Sequence, residues 1–162
     1  SREGFVDISA IFRNQTVSEK QEDQIAWIMA VNRKENYLWF SLKNRNQLPA
    51  TVLWMENRGR HHAPWCGRNS CIGIEETCSF FASGRKQSII HNHINSRGIK
   101  TAVQFNPEKE ISVRTIQGVT DYDMSNGSIR NVQFSDHKMV ITTDTDHKIE
   151  VAVSWKFLCS DL

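Results

Sequence analysis

No run in this 162-residue chain approaches the roughly 18 consecutive apolar residues of a membrane-spanning helix, so no membrane partner is expected. Charge of one sign is lacking too: 20 Lys and Arg stand against 18 Asp and Glu, a net charge of +2. Nucleic-acid-binding faces carry clustered Lys and Arg, and so weak a balance argues against a nucleic-acid partner. Cysteine is scarce, with Cys66, Cys71, Cys78 and Cys159 and no Cys-x-x-Cys pair. That set fits neither a small secreted disulfide scaffold nor a zinc ribbon or thioredoxin-type site. Reduced thiols in a cytoplasmic protein are therefore expected. Residues 1–5 show neither a signal-peptide core nor an initiator Met, so processing, trimming or membership of a longer chain is expected. Internal repeats, low-complexity stretches and interdomain linkers are missing as well. What is present, 39% hydrophobic and 23% charged residues, is the balance of one globular domain.

Strand patterns dominate. Tyr37-Leu38-Trp39-Phe40-Ser41-Leu42 and Ala50-Thr51-Val52-Leu53-Trp54-Met55 are short aromatic and aliphatic runs bounded by polar clusters or Pro49. Residues 99–105 and 111–116 alternate apolar and polar around an Asn106-Pro107-Glu108-Lys109 turn. Residues 129–134, 139–143 and 149–157 supply three more strands, joined by hairpin loops at Asp136-His137-Lys138 and Asp144-Thr145-Asp146-His147. Such runs, about ten residues apart and separated by turns, indicate an all-β antiparallel β-sandwich or barrel. Helical signal is thin. Ser18 with Gln21 three positions on forms a capping-box pattern, and Ile25, Ile28 and Met29 share a helical face. Residues 25–31 read equally as a buried strand, and strand is favoured. Residues 1–36 carry no signal placing them inside or outside the sandwich.

The chemistry gathers between Asn57 and His93. Residues 57–69 form a loop by composition, with two glycines and one proline, yet hold Arg58, Arg60, Arg68, His61, His62 and Trp65. Binding residues concentrate on loops held by rigid scaffolds. Guanidinium forks reach two hydroxyls or a carboxylate at once, and an indole stacks on the C–H face of a sugar. Asn57, Arg58, Arg60, His61, Trp65 and Arg68 are the candidate ligand-binding residues. The plainer alternative pairs the arginines with local carboxylates such as Glu56 and uses Trp65 to cap the core. Trp27, Trp39, Trp54 and Trp155 sit inside apolar runs and read as core.

Glu75 and Glu76 end an apolar run, Cys71-Ile72-Gly73-Ile74. Strand neighbours point to opposite faces, so the two carboxylates should not form a dyad. One can face a cavity while the other meets solvent or an arginine. A carboxylate among apolar groups has a raised pKa, suited to proton transfer near neutrality.

The order Trp54-x-x-Asn57-x-Gly59, then Pro64-Trp65, then Ile72-Gly73-Ile74-Glu75 resembles the C-terminal half of aldose 1-epimerase-like proteins of the galactose mutarotase superfamily. The resemblance implies a galactose mutarotase-like β-sandwich and an isomerase of carbohydrate metabolism that interconverts sugar anomers. The carboxylate after a glycine-containing strand would be the general base, which places Glu75 in the catalytic position. A monosaccharide or sugar derivative would be the substrate, with no cofactor and no metal. Members of the superfamily take a histidine general acid from their N-terminal half, and this chain is about half their length. His61 and His62 lie in the wrong region to inherit that role, and the upstream hydroxyl-binding carboxylate has no counterpart. The chain would then be a partial domain, inactive alone or completed by a missing half or by homo-oligomers formed through exposed sheet edges.

Three alternatives stand beside this expectation. The first is a non-catalytic carbohydrate-binding β-sandwich using the same arginines and Trp65. The second is a metal site built on His91 and His93 with His61, His62, Cys66, Cys71 or Cys78, although zinc ligands are usually more regularly spaced. A purely structural half-domain is the third.

Overall fold

The computed structural model describes residues 6–10, 20–80 and 83–160; the expected cap at Ser18 lies outside them. Alternating apolar residues on two neighbouring strands decide the first unit. In β2 (Ile25–Asn32) and β3 (Tyr37–Asn44), antiparallel register sets Trp27 opposite Leu42, Met29 opposite Phe40 and Val31 opposite Leu38. All six are buried. Strand β1 (Val6–Ala10) pairs with the outer edge of β2, and β6 (Thr115–Asp121) pairs with β3. The resulting four-stranded antiparallel sheet has the order β1-β2-β3-β6. The favoured strand at residues 25–31 is thus found, and a four-residue 3₁₀ turn, Gln21–Gln24, leads directly into it.

A three-stranded sheet, β7 (Ile129–Ser135), β8 (Lys138–Thr143) and β9 (Lys148–Ala152), contributes Val132, Met139 and Ile141 to the same hydrophobic cluster. These two sheets belong to one compact unit made of Ser1–Arg45 and Ile111–Leu162. The second unit, Asn46–Glu110, holds the hairpin β4 (Ala50–Asn57) and β5 (Ser70–Thr77) and one short helix, α1 (Gly84–Ile89). The described residues are mostly β, with antiparallel sheets and none closed into a barrel. No described helix is long and apolar enough to cross a membrane.

Three expected strands fail in whole or in part, each for a physical reason. Residues 99–105 are irregular, because the buried group there is the polar Thr101 while Val103 and Phe105 are 49% and 78% exposed. Its hydroxyl donates to Ser88 O at 2.7 Å, and Asn92 Nδ2 donates back to it at 3.1 Å. Residues 111–114 are also irregular, since the ladder to β3 begins at Thr115 opposite Lys43. The strand expected to run to residue 157 stops at Ala152. Trp155 and Leu158, three apart, both enter the core on a 3₁₀ turn, and Trp155 Nε1 donates to Ser135 O at 2.6 Å. Helix α1 escaped notice because its sequence is polar and buries only Ser88.

Gly118 of β6 faces Phe40 across the ladder. A Cβ at that position would overlap Phe40 Cζ and lie 2.8 Å from Cε1. The absent side chain lets the buried ring lie across the neighbouring strand, a known remedy for a glycine in a sheet. Gly118→Ala should therefore lower stability by about 1–3 kcal/mol, the usual cost of overpacking. The urea midpoint should fall with an unchanged m value; an unshifted midpoint would show that the ring is not held there.

Candidate functional site

Strand alternation sorts the β4–β5 hairpin into two faces. Val52 pairs with Glu75, Trp54 with Gly73 and Ala50 with Thr77, while Thr51 pairs with Glu76, Leu53 with Ile74 and Met55 with Ile72. The adjacent acids thus lie on opposite faces. Glu76 accepts a 2.7 Å hydrogen bond from Thr51 Oγ1 on its own face. On the other face, Val52, Trp54, Glu75 and Thr77 line an open cleft of about 430 Å³, joined by Arg60, Trp65 and Ser79.

The loop between the strands closes on itself through its backbone. Arg58 N–H donates to Asn69 O at 2.8 Å, Gly67 N–H to Arg60 O at 2.8 Å, and Trp65 N–H to His62 O at 3.0 Å. Arg58, Cys66 and Gly67 have φ of 60°, 50° and 66°, so two side-chain-bearing residues occupy the left-handed region within a short span. That conformation costs roughly 1–3 kcal/mol each and gathers at functional loops. Its result is to bring Trp65 to the strand face, edge to face with Trp54 at 5.5 Å and 71°.

Arg60 is tied to the same cluster. Its Nε lies 3.5 Å from Oε2 of the buried Glu56, and its backbone N–H donates to Glu56 Oε1 at 3.2 Å. The guanidinium carbon stands 5.0 Å from the Trp54 ring centre and 5.6 Å from that of Trp65. Pairing with Glu56 and stacking on two indoles fix a side chain that would otherwise sample many rotamers. Gly73 allows this: a Cβ there would stand 3.2 Å from Trp54 Cε3.

Of the candidates read from the sequence, Glu75, Arg60 and Trp65 converge on the cleft; Asn57, Arg58, His61 and Arg68 do not line it and are exposed. Asn57 belongs to the face opposite Trp54, two positions beyond Met55. Arg60 adopts the local pairing with Glu56 that the plainer alternative described. Two expectations need correction. Glu75 is exposed, so the apolar burial invoked for its proton-transfer role is missing. Trp54 is not simply core but a half-buried wall of the cleft. Thr77 and Ser79 went unnoticed, although counting by two from Gly73 and Glu75 reaches both. Ser79 is held by a 2.8 Å hydrogen bond from Thr77 Oγ1.

Among the described residues no three His, Cys, Asp or Glu side chains come together to hold a metal ion. His93 packs edge-on against Phe80 at 5.0 Å. Asp123 caps a 3₁₀ turn by accepting from Ser125 N–H at 2.8 Å, which holds its carboxyl below the usual range. The chain matches no family model, no curated protein and no solved structure.

All four cysteines are free thiols; Cys66 and Cys71 are exposed, whereas partial burial pushes the Cys78 and Cys159 thiols up, with Lys100 opposing that rise at Cys78. The thiolate is the reactive form. A maleimide should therefore label Cys66 and Cys71 first. Labelling of Cys78 and Cys159 should rise only at a pH above that needed for an ordinary thiol. Peptide mapping that found all four modified together at neutral pH would contradict the burial.

Proposed function

We propose that the β4–β5 cleft is a carbohydrate-binding site and that the chain acts as a non-catalytic sugar-binding module. The observation that carries this reading is the meeting of two half-buried indoles with Arg60, Glu75, Thr77 and Ser79 in one cleft of about 430 Å³. Its size falls in the range of small-ligand sites, roughly 300–1,000 Å³. Indole surface receives the C–H face of a pyranose, and hydroxyls are read by one fork of donors, one carboxylate and two side-chain hydroxyls. Because Arg60 is already held by Glu56, little further ordering accompanies binding. The one hydrophobic cluster shared by the four- and three-stranded sheets supports reading the first unit as a β-sandwich. Four free thiols suit a reducing, cytoplasmic setting.

A second reading, anomer interconversion of the aldose 1-epimerase type, is favoured by one observation: the carboxylate of Glu75 lines this same cleft. As general base it would take the anomeric proton, and a partner acid must protonate the ring oxygen. No histidine or second carboxylate is among the described residues lining the cleft, so the partner for that step is missing there. Binding without turnover accounts for more of the geometry.

Ligand-observed NMR with a panel of gluco- and galacto-configured monosaccharides should detect saturable binding. Trp65→Ala should weaken it about tenfold, the worth of one stacking surface. Absence of binding across the panel would sink the reading. In polarimetry the chain should leave mutarotation at its spontaneous rate; an acceleration abolished by Glu75→Gln would instead select the epimerase.

A further inference from the structure

We infer that the cleft selects sugars by charge, preferring a pyranose that carries a protonated amine and rejecting acidic sugars. The inference rests on the sugar-binding reading above and goes further in naming the chemical class.

Arg60 is the cleft's cation, and its charge is balanced by Glu56, whose carboxylate is buried against it at 3.5 Å. Glu75 is the cleft's anion, and no described residue donates a hydrogen bond to it or forms an ion pair with it. Its nearest pairing neighbours across the strands are Val52 and, two positions along, Trp54, neither of which supplies charge. Glu56, Arg60 and Glu75 together leave one net negative charge at the surface a ligand would meet.

That charge has consequences for hydrogen bonding as well as for attraction. An ionised carboxylate only accepts, so Glu75 needs donors. An ammonium group brings three donors with a positive charge, where a hydroxyl brings one and none. Indole faces also attract cations, and Trp54 and Trp65 form the wall beside Glu75. A uronate or sugar phosphate meets the reverse situation. Among the described residues lining the cleft the one cation is Arg60, already neutralised by Glu56, and Glu75 repels an anion. Neutral sugars fall between the two.

The effect is modest because Glu75 is exposed, and exposed ion pairs contribute little. Affinities would be compared at about pH 6, where an amine is protonated. The probes are glucosamine and galactosamine, their N-acetylated forms, the parent sugars, and glucuronate and galacturonate. Each amine should bind about two- to fivefold more tightly than its neutral parent. N-acetylation, which keeps the nitrogen and removes the charge, should erase that advantage. The advantage should also fade in about 0.5 M salt, and Glu75→Gln should bring the amine-to-parent ratio to near one, whatever it does to the parent's own affinity. Circular dichroism checks that the variant remains folded. Uronates binding as tightly as the amines, or a ratio that persists in Glu75→Gln, would overturn the inference while leaving sugar binding standing. Failure of every sugar to bind would remove both.

Discussion

In each of the two units an aromatic ring lies over a glycine directly across an antiparallel ladder. Phe40 covers Gly118 in the first unit, and Trp54 covers Gly73 in the second. A glycine in a strand ordinarily weakens it through added unfolded-state freedom and lost packing. Here the missing side chain is the space that the ring occupies. The same device serves different ends. Over Gly118 the phenyl ring is buried and completes the core shared by two sheets. Over Gly73 the indole stays half-buried, and its remaining surface becomes a wall of the cleft. Everything attached to that wall, from the Trp65 edge contact to the Arg60 guanidinium, depends on Trp54 lying close to the strand.

The second constraint is the buried carboxylate of Glu56. It sits on the same hairpin face as Trp54, two residues on, and grips Arg60 by both backbone and side chain. A charge 7% exposed is tolerable only with a partner. That requirement turns the chain back at Arg60 and sets the path of the loop toward Trp65. Packing, loop geometry and the electrostatics of the cleft therefore share one residue.

Strands whose period-two pattern places apolar groups on one buried face could be read from the sequence. Strands β2, β3, β7 and β8 all have this character, whereas β4 was legible as an aromatic and aliphatic run although its one buried side chain is Glu56. Residues 99–105 show the same alternation and misled, because among the described residues no strand pairs with them and the buried group is Thr101. Periodicity states which side a residue would take if paired; it does not supply the pairing. The cleft was legible to the extent that it lies on a strand: Glu75 and its separation from Glu76 follow from alternation alone. Which loop arginine joins it was not legible. The answer turns on left-handed backbone at Arg58 and Cys66, which composition does not reveal in side-chain-bearing residues. Trp54 shares a face with Glu56 by alternation, but only the Val52–Glu75 register places that face beside Glu75.

The Asn92 knot between α1 and residue 101 has its own consequence. Asn92 Nδ2 donates to Gln87 O and Ile90 O, its Oδ1 accepts from the N–H groups of Ile94 and Asn95, and its own backbone N–H donates to Asn95 Oδ1. Irregular surface segments are ordinarily where trypsin cuts first, and the one after α1 displays Arg97 and Lys100 in the open. A protease must draw several residues into extended form, and here doing so means undoing the whole ring of amide bonds around one asparagine. Basic side chains that look like easy cleavage points are thus guarded by the amide bonds gathered around Asn92.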